Sequence, residues 1–158
     1  MTDKKHKSGS VCIVCGAPGS GKTTYVQQNL QSGDLVVDLD AIVGALTGTR
    51  EPHPDYSYVI DIALAVRETI YSAIEAGTTL WKRAFVITST PNRERVDRLA
   101  DRLGATCHYM ETTEEECIQR IEDDPTDRTR MRIKLLCMSG SKKCRKVMLY
   151  DRQKTSNC

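Results

Sequence analysis

Short apolar runs alternate along the chain with longer segments in which apolar residues recur about every 3.6 positions. The apolar runs predict buried strands at residues 11–15, 35–37, 84–88 and 106–110. The periodic segments predict helices at residues 22–31, 41–46, 58–76, 91–103, from 113 onward and at 130–138. Alternating strands and helices are typical of a parallel sheet that helices cover on both faces. The pattern therefore predicts one α/β domain of three layers, with a mostly parallel sheet of five strands or slightly fewer.

Polar and glycine positions predict where several of these helices begin and end. Asp40 can cap the helix at 41–46, and Pro91 suits the first turn of the helix at 91–103. Gly77 closes the long helix, because glycine accepts the left-handed conformation that follows a helix end. Thr113 and Glu116 form a capping box for the helix that begins at 113.

The first strand leads directly into a glycine-rich octet, Gly-Ala-Pro-Gly-Ser-Gly-Lys-Thr, at residues 16–23. This sequence matches the phosphate-binding loop motif, and its place between a strand and a helix is the context that the motif requires. Backbone N–H groups of such a loop surround phosphate oxygens, Lys22 supplies charge, and the Thr23 hydroxyl can ligate Mg²⁺. The cofactors predicted are ATP and Mg²⁺. The predicted ATP-binding residues are Gly16, Ala17, Pro18, Gly19, Ser20, Gly21, Lys22, Thr23 and Thr24.

Two aspartates end the second strand, 16 and 18 residues after Lys22. In an α/β sheet of this kind the ligand lies beyond the carboxyl ends of the strands. Asp40 can accept the proton of an acceptor hydroxyl as a general base, and Asp38 can help to hold Mg²⁺. Alternatively, Asp40 has only a structural role, as a helix cap. The strand at 84–88 ends in Thr88-Ser89-Thr90 without a carboxylate, so the pattern favours a small kinase over a GTPase- or motor-type NTPase.

The chain resembles the kinase domain of phage-type polynucleotide 5′-hydroxyl kinases and their zeta-toxin-like relatives. The segments that carry this resemblance, within residues 10–132, are GAPGSGKTT, VVDLDAI, FVITSTPNRERVDRLADRLGA and HYMETTEEECIQR. It implies a P-loop kinase fold and transfer of the ATP γ-phosphoryl group to the 5′-hydroxyl of a polynucleotide or nucleotide. It implies that Asp40 is the general base and that Arg120 or Arg128 belongs to a lid over the phosphates. Val43 departs from the family, which usually has an arginine there.

Two other functions stay open at this point. Shikimate- and gluconate-type kinases also carry two aspartates after the second strand, so a small-metabolite kinase is the first alternative. This chain lacks the glycine-rich segment that shikimate kinases place after their third strand. A P-loop ATPase or nucleotide switch without a hydroxyl acceptor is the second alternative, and the position of Asp38 and Asp40 speaks against it.

Charge is distributed unevenly, although the whole chain carries a net charge of +2. Residues 1–127 sum to −7, whereas residues 128–158 sum to +9. We therefore divide the chain into a disordered tail (1–9), the kinase domain with its lid (10–132) and a basic C-terminal segment (133–158). A basic segment behind an acidic domain suggests a polyanionic partner such as nucleic acid. The alternative is a solvated extension without a partner.

Seven cysteines without a secretory signal predict reduced thiols and a cytoplasmic protein. Cys12 and Cys15 lie three apart on one strand, so they should point to opposite faces and serve as core residues. Cys137, Cys144 and Cys158 leave a metal site open as an alternative. No run approaches the roughly 18 apolar residues of a membrane span, and nothing in the sequence calls for an obligate protein partner.

Overall fold

The computed structural model describes residues 9–48, 57–77, 80–90 and 92–123. Several expectations from the sequence lie outside these ranges: residues 1–8 of the tail predicted at 1–9, the helix at 130–138, the lid candidate Arg128 and the basic segment at 133–158. The metal alternative at Cys137, Cys144 and Cys158 also lies outside them.

Strands and helices alternate through the described residues, as the apolar pattern predicts. The strands are β1 (Ser10–Cys15), β2 (Leu35–Val37), β3 (Arg83–Thr88) and β4 (Ala105–Tyr109). The helices are α1 (Lys22–Asn29), α2 (Leu39–Thr47), α3 (Ile60–Ala76), α4 (Arg93–Leu103) and α5 (Glu114–Asp123). All strand pairs are parallel, and the sheet order is β2-β3-β1-β4. The predicted α/β class with a parallel sheet is confirmed, with four strands in the described part of the chain.

The register aligns the carboxyl ends of the three adjoining strands. Cys15, the last residue of β1, lies opposite Thr88 on β3 and opposite Tyr109 on β4. Two further hydrogen bonds extend this alignment past the sheet: Gly16 N donates to Thr88 O (3.4 Å), and Met110 N donates to Cys15 O (2.8 Å). The chain therefore leaves β1 at the centre of one sheet edge, held on both sides.

Apolar side chains fill both faces of the sheet. On one face Ile13, Cys15 and Val86 pack with Tyr71 and Ile74 of α3 and with Val96 of α4. On the other face Val14 and Phe85 pack with Val26 of α1, and Cys12 lies against this second cluster. These are the three layers that the sequence predicts. Cys12 and Cys15 contribute to opposite faces, which confirms their assignment as core thiols.

Two helix starts differ from the sequence predictions because a different side chain caps each helix. α2 begins at Leu39 and is capped by Asp38, whose Oδ1 accepts from Asp40 N (3.2 Å), so the prediction of Asp40 as the cap is wrong. α4 begins at Arg93 and not at 91, because the Asn92 side chain accepts from Arg95 N (3.1 Å). An aspartate or asparagine just before the helix satisfies a free N–H and so fixes the first turn.

The predicted ends of α3 and α4 agree with the structure, whereas that of α1 does not. Gly77 and Gly104 take left-handed φ values of 62° and 60° after α3 and α4. α1 ends at Asn29, two residues earlier than predicted, and the Asp34 side chain accepts from Gln31 N (2.9 Å) to form the following turn. In the part of the chain that the structure describes, no helix combines the length and apolar character of a membrane span.

Candidate phosphate-binding site

The glycine-rich octet forms a loop that joins β1 to α1 at the carboxyl edge of the sheet. Gly19 and Gly21 take φ values of 75° and 88°, which side chains with a Cβ rarely adopt. A turn in the loop is closed by Ser20 N, which donates to Ala17 O (3.1 Å). Gly21 is the residue that precedes α1, and its carbonyl accepts the first helical hydrogen bond from Tyr25 N (2.8 Å). The loop therefore directs backbone N–H groups and a helix N-terminus to one place, which suits an anion.

Lys22 is the first residue of α1, and its side chain folds back into the loop. It is only 7% exposed, and its Nζ donates to Ala17 O (2.6 Å). Burial lowers the pKa of Lys22, while the Cys117 thiol and the carboxylates of Asp38 and Asp40 act in the opposite direction. Burying an ammonium group costs free energy unless the charge is paired, so an anionic ligand that contacts Lys22 here would be stabilised.

The two aspartates lie at the same sheet edge, beside the loop. Asp38 follows the end of β2 and is half-buried, whereas Asp40 lies in the first turn of α2 and is exposed. Their electrostatic effect on Lys22 shows that the fold brings both carboxylates near the lysine. This arrangement gives the site one charged donor within the loop and two carboxylates at its side.

Residues of β4 and α5 form the outer wall of the loop. A Cβ added at Gly16 would lie 2.9 Å from the Cβ of Met110. A Cβ added at Gly19 would lie 2.7 Å from Cys117 O and 2.9 Å from Ile121. A side chain at either position would collide with this wall, so close packing requires both glycines, and the positive φ of Gly19 requires glycine there as well.

Arg120 approaches the loop from α5. Its Nη1 lies 3.2 Å from the position of an added Cβ at Gly21, and its side chain is exposed. The predicted capping box fixes the start of α5: Glu116 N donates to Thr113 Oγ1 (3.2 Å), and Thr113 N donates to Glu116 Oε2 (3.0 Å). The structure thus brings Arg120 together with the loop, whereas the other lid candidate, Arg128, lies outside the described residues.

Side-chain oxygens close to Lys22 in the fold are suitable ligands for the Mg²⁺ ion that this fold implies. Thr23 follows Lys22 and is exposed, as is Thr24, and Asp38 is half-buried. Mg²⁺ prefers oxygen ligands and is commonly held by one or two protein groups together with substrate phosphates. Among the described residues no cluster of three or more His, Cys, Asp or Glu side chains forms a metal cage. A hydroxyl and a carboxylate are nevertheless a suitable pair for magnesium bound with a nucleotide.

Sequence reasoning did not identify the residues that contact the loop from outside. Met110, Cys117 and Ile121 pack against its glycines, and Thr112 hydrogen-bonds to Ser20 O at 2.9 Å. The capping box predicted where α5 begins but not what the helix contacts. That contact depends on β4 lying next to β1, and one signal could have suggested it: the glycines of the motif require a close neighbour somewhere in the fold.

Comparisons with known proteins agree with this geometry. A family model described as an AAA domain matches residues 11–132, which is most of the chain. A structure of the Pnkp1/Rnl/Hen1 RNA repair complex aligns over 76% of this chain and 39% of its own, with a TM-score of 0.56 and 14% identity. A second structure of the Pnkp1/Rnl/Hen1 complex aligns over 82% and 44%, with a TM-score of 0.55 and 14% identity.

The chain spans less than half the length of these two structural relatives, and the likeness at this identity is one of fold. No curated protein sequence matches the chain. The match over residues 11–132 shows that the chain belongs to the AAA domain family, with the parallel α/β fold of P-loop NTPases and kinases.

Proposed function

We propose that this domain is an ATP- and Mg²⁺-dependent kinase that transfers the γ-phosphoryl group to a hydroxyl, most simply the 5′-hydroxyl of a polynucleotide or nucleotide. One observation carries the proposal. Lys22 is buried in a complete phosphate loop, and Asp38 and Asp40 follow β2 at the same carboxyl edge of the sheet, where their carboxylates partly oppose the lowering of the Lys22 pKa by burial. A cationic phosphate site beside carboxylates is what phosphoryl transfer to a hydroxyl requires.

On the donor side, the chain's own residues bind and neutralise the triphosphate. The loop N–H groups hold phosphate oxygens, Lys22 exchanges its contact with Ala17 O for a phosphate oxygen, and Arg120 adds charge from α5. Thr23 and Asp38 would hold Mg²⁺, which when bound neutralises charge on the β- and γ-phosphates. Removing water around these charges strengthens each of these interactions.

On the acceptor side, we assign the general base to Asp40. Its carboxylate is exposed, and its position in the first turn of α2 is fixed by the hydrogen bond from its own N–H to Asp38 Oδ1. Asp38 therefore fixes the main chain of Asp40 at the start of α2. In this role Asp40 takes the proton of the attacking hydroxyl as the new phosphate ester forms.

Two observations support a nucleic-acid acceptor. Two structural relatives, with TM-scores of 0.56 and 0.55, belong to the Pnkp1/Rnl/Hen1 complex, one of them described as an RNA repair complex. The sequence of residues 133–158 carries seven Lys or Arg and one Asp. We propose that this segment follows a phosphate backbone and holds a polynucleotide near the acceptor site.

One observation favours the small-metabolite kinase as a second candidate. Val43, which stands where the polynucleotide kinases usually have an arginine, is 0% exposed. It lies on α2, the helix that begins beside Asp40, and so contributes to packing instead of substrate binding. A nucleic-acid acceptor must therefore be held by other groups of this chain.

Transfer from γ-labelled ATP is the direct test of this function. The chain is offered 5′-hydroxyl oligonucleotides, nucleosides and small polyols, with a 5′-phosphorylated oligonucleotide as the matched control. We expect label on the 5′-hydroxyl oligonucleotide and none on its phosphorylated counterpart. Label on polyols alone supports the metabolite kinase, and ATP hydrolysis without any labelled acceptor supports the ATPase or switch.

The salt dependence of binding tests the basic segment separately. Each phosphate neutralised on a single strand contributes a slope of about −0.7 in log K against log salt, so three to five contacts give roughly −2 to −3.5. Removing residues 139–158 should flatten this slope and leave ATP affinity unchanged. A full-length chain that binds no oligonucleotide at low salt contradicts the role of this segment.

A further inference from the structure

A hydrogen bond from outside the phosphate loop holds one of its carbonyl groups. Thr112 lies between β4 and α5, and its Oγ1 donates to Ser20 O at 2.9 Å. Ser20 is 1% exposed, so this carbonyl has little access to water as an alternative partner. The two residues are 92 positions apart, and the bond joins the loop after β1 to the segment that follows β4, the strand paired with β1.

Ser20 is held on both sides by this arrangement. Its N–H donates to Ala17 O (3.1 Å), and its carbonyl accepts from Thr112. A trans peptide places the carbonyl and the following N–H on opposite sides. Fixing Ser20 O towards Thr112 therefore turns the N–H of Gly21 away from Thr112, to the side where the loop N–H groups bind phosphate.

The peptide between Ser20 and Gly21 needs such a restraint. Gly21 has a φ of 88°, and glycine occupies positive and negative φ with similar ease. The peptide preceding it can therefore rotate at small cost unless something holds it. Of the two groups that this rotation moves, the Ser20 carbonyl is held from outside the loop, by Thr112.

The segment around Thr112 is rigid enough to act as that partner. On its N-terminal side Met110 N donates to Cys15 O (2.8 Å), which extends the pairing of β4 with β1. On its C-terminal side the capping box of Thr113 and Glu116 fixes the start of α5. The Thr112 hydroxyl is therefore positioned near the loop by a segment that is anchored at both ends.

We propose that Thr112 is a positioning residue that keeps the Gly21 N–H turned towards the nucleotide phosphates. The inference rests on the proposed function, because it concerns how the same site binds its triphosphate. Thr112 itself does not touch the phosphate in this role. It holds the peptide between Ser20 and Gly21 in the orientation that binds phosphate, so that ligand binding does not spend free energy on selecting this orientation.

Three variants test this role. Thr112→Val keeps the shape and removes the hydroxyl, Thr112→Ser keeps the hydroxyl, and Thr106→Val is the matched control. Thr106 Oγ1 also donates to a main-chain carbonyl, that of Val11 at 3.3 Å, but within the sheet and away from the loop. Calorimetry measures the affinity of each full-length variant for ATP and for inorganic tripolyphosphate, and kinetics measures KM and kcat.

We expect Thr112→Val to weaken the affinity for ATP and for tripolyphosphate by a similar factor, about fivefold to tenfold, which corresponds to the loss of one hydrogen bond. KM for ATP should rise by the same factor, while Thr112→Ser stays within about twofold of the original chain and Thr106→Val has no effect. An equal loss of affinity for tripolyphosphate would show that Thr112 acts on phosphate binding. A general loss of stability would not produce this loss of affinity in the valine variant alone.

The outcomes separate the inference from the proposed function. If the original chain binds neither ligand, the proposed function fails and this inference fails with it. If the original chain binds ATP and Thr112→Val binds it equally well, only the inference is overturned. Failure of Thr112→Ser to recover affinity also overturns it, because the hydroxyl is then not the active group.

Discussion

The donor and acceptor sides of the site are built in different ways. On the proposed donor side, hydrogen bonds hold main-chain groups of the loop, Ser20 O by Thr112 and Ala17 O by Lys22, and the carbonyl of Cys117 packs closely against Gly19. On the acceptor side, Asp40 is exposed on the first turn of α2 and is positioned by a local hydrogen bond to Asp38. The described residues thus enclose the proposed donor site with β1, β4 and α5, whereas the proposed base, Asp40, is presented on one helix.

This difference follows from what each half must recognise. A triphosphate is the same in every turnover, so a preformed set of main-chain donors can serve it without reorganisation. An acceptor is recognised by side chains and loops that vary while the scaffold stays constant. The residues that follow α2 in sequence, 49–56, lie outside the described ranges. The described residues therefore enclose the proposed donor side more completely than the proposed acceptor side.

Replacing Lys22 should produce the largest effect and would show whether the donor side is correctly assigned. Lys22→Met keeps the buried stem and removes the charge, so turnover should fall at least about a hundredfold, or about 3 kcal/mol in activation free energy. Lys82→Met, at an exposed lysine before β3, is the control and should leave turnover unchanged. Steady-state phosphoryl transfer measures both, and a near-normal rate in Lys22→Met would contradict the phosphate-loop assignment.

Replacing Asp40 addresses the acceptor side. Asp40→Asn keeps the shape and the N–H that binds Asp38 Oδ1, but it removes the base. We expect phosphoryl transfer to fall roughly a hundredfold while ATP affinity changes little. Asp61→Asn, an exposed aspartate in the first turn of α3, is the matched control. A parallel loss of ATP affinity would instead make Asp40 a metal ligand, and the base would then be assigned to Asp38.

The sequence predicted the elements of both halves better than their contacts. The octet, the strand before it and the capping box of α5 are local patterns, so the loop and the helix starts near it could be located in advance. The wall formed by Met110, Cys117 and Ile121 could not, because it depends on β4 pairing with β1.

The error at α2 has a similar origin. Asp38 and Asp40 are both good capping residues, and propensity alone does not choose between two aspartates that lie two positions apart. In the structure β2 ends at Val37, which places Asp38 immediately before the helix and Asp40 within its first turn. This shift matters for function, because it separates the capping role from the proposed base.

Replacing Arg120 tests whether α5 contributes charge to the donor side as well as packing. Arg120→Ala should lower turnover about tenfold, because its guanidinium lies beside Gly21 and can stabilise charge on the transferred group. Arg98→Ala, an exposed arginine on α4 that pairs with Glu94 at 3.5 Å, is the control. Arg120→Lys should recover part of the rate. Equal rates for the alanine variants would restrict the role of α5 to packing against the loop.

The pH dependence of stability should show the smallest effect, at the start of α5. Hydrogen bonds from Thr113, first from its N–H and then from its hydroxyl, hold the pKa of Glu116 below its usual value of 4.5. A carboxyl with a lowered pKa in the folded state stabilises the fold above its ordinary pKa, and that contribution is lost as the pH falls through the folded-state value. Glu116→Gln should therefore lower the thermal midpoint near neutral pH, and the difference from the original chain should shrink below about pH 4.5.

Glu114→Gln removes a charge from the same turn and leaves the capping box intact, so it separates the effect of the hydrogen bonds from the effect of the charge. Thermal unfolding between acid and neutral pH measures both variants, and a difference that persists unchanged at low pH would show that the cap does not depend on the ionised carboxylate.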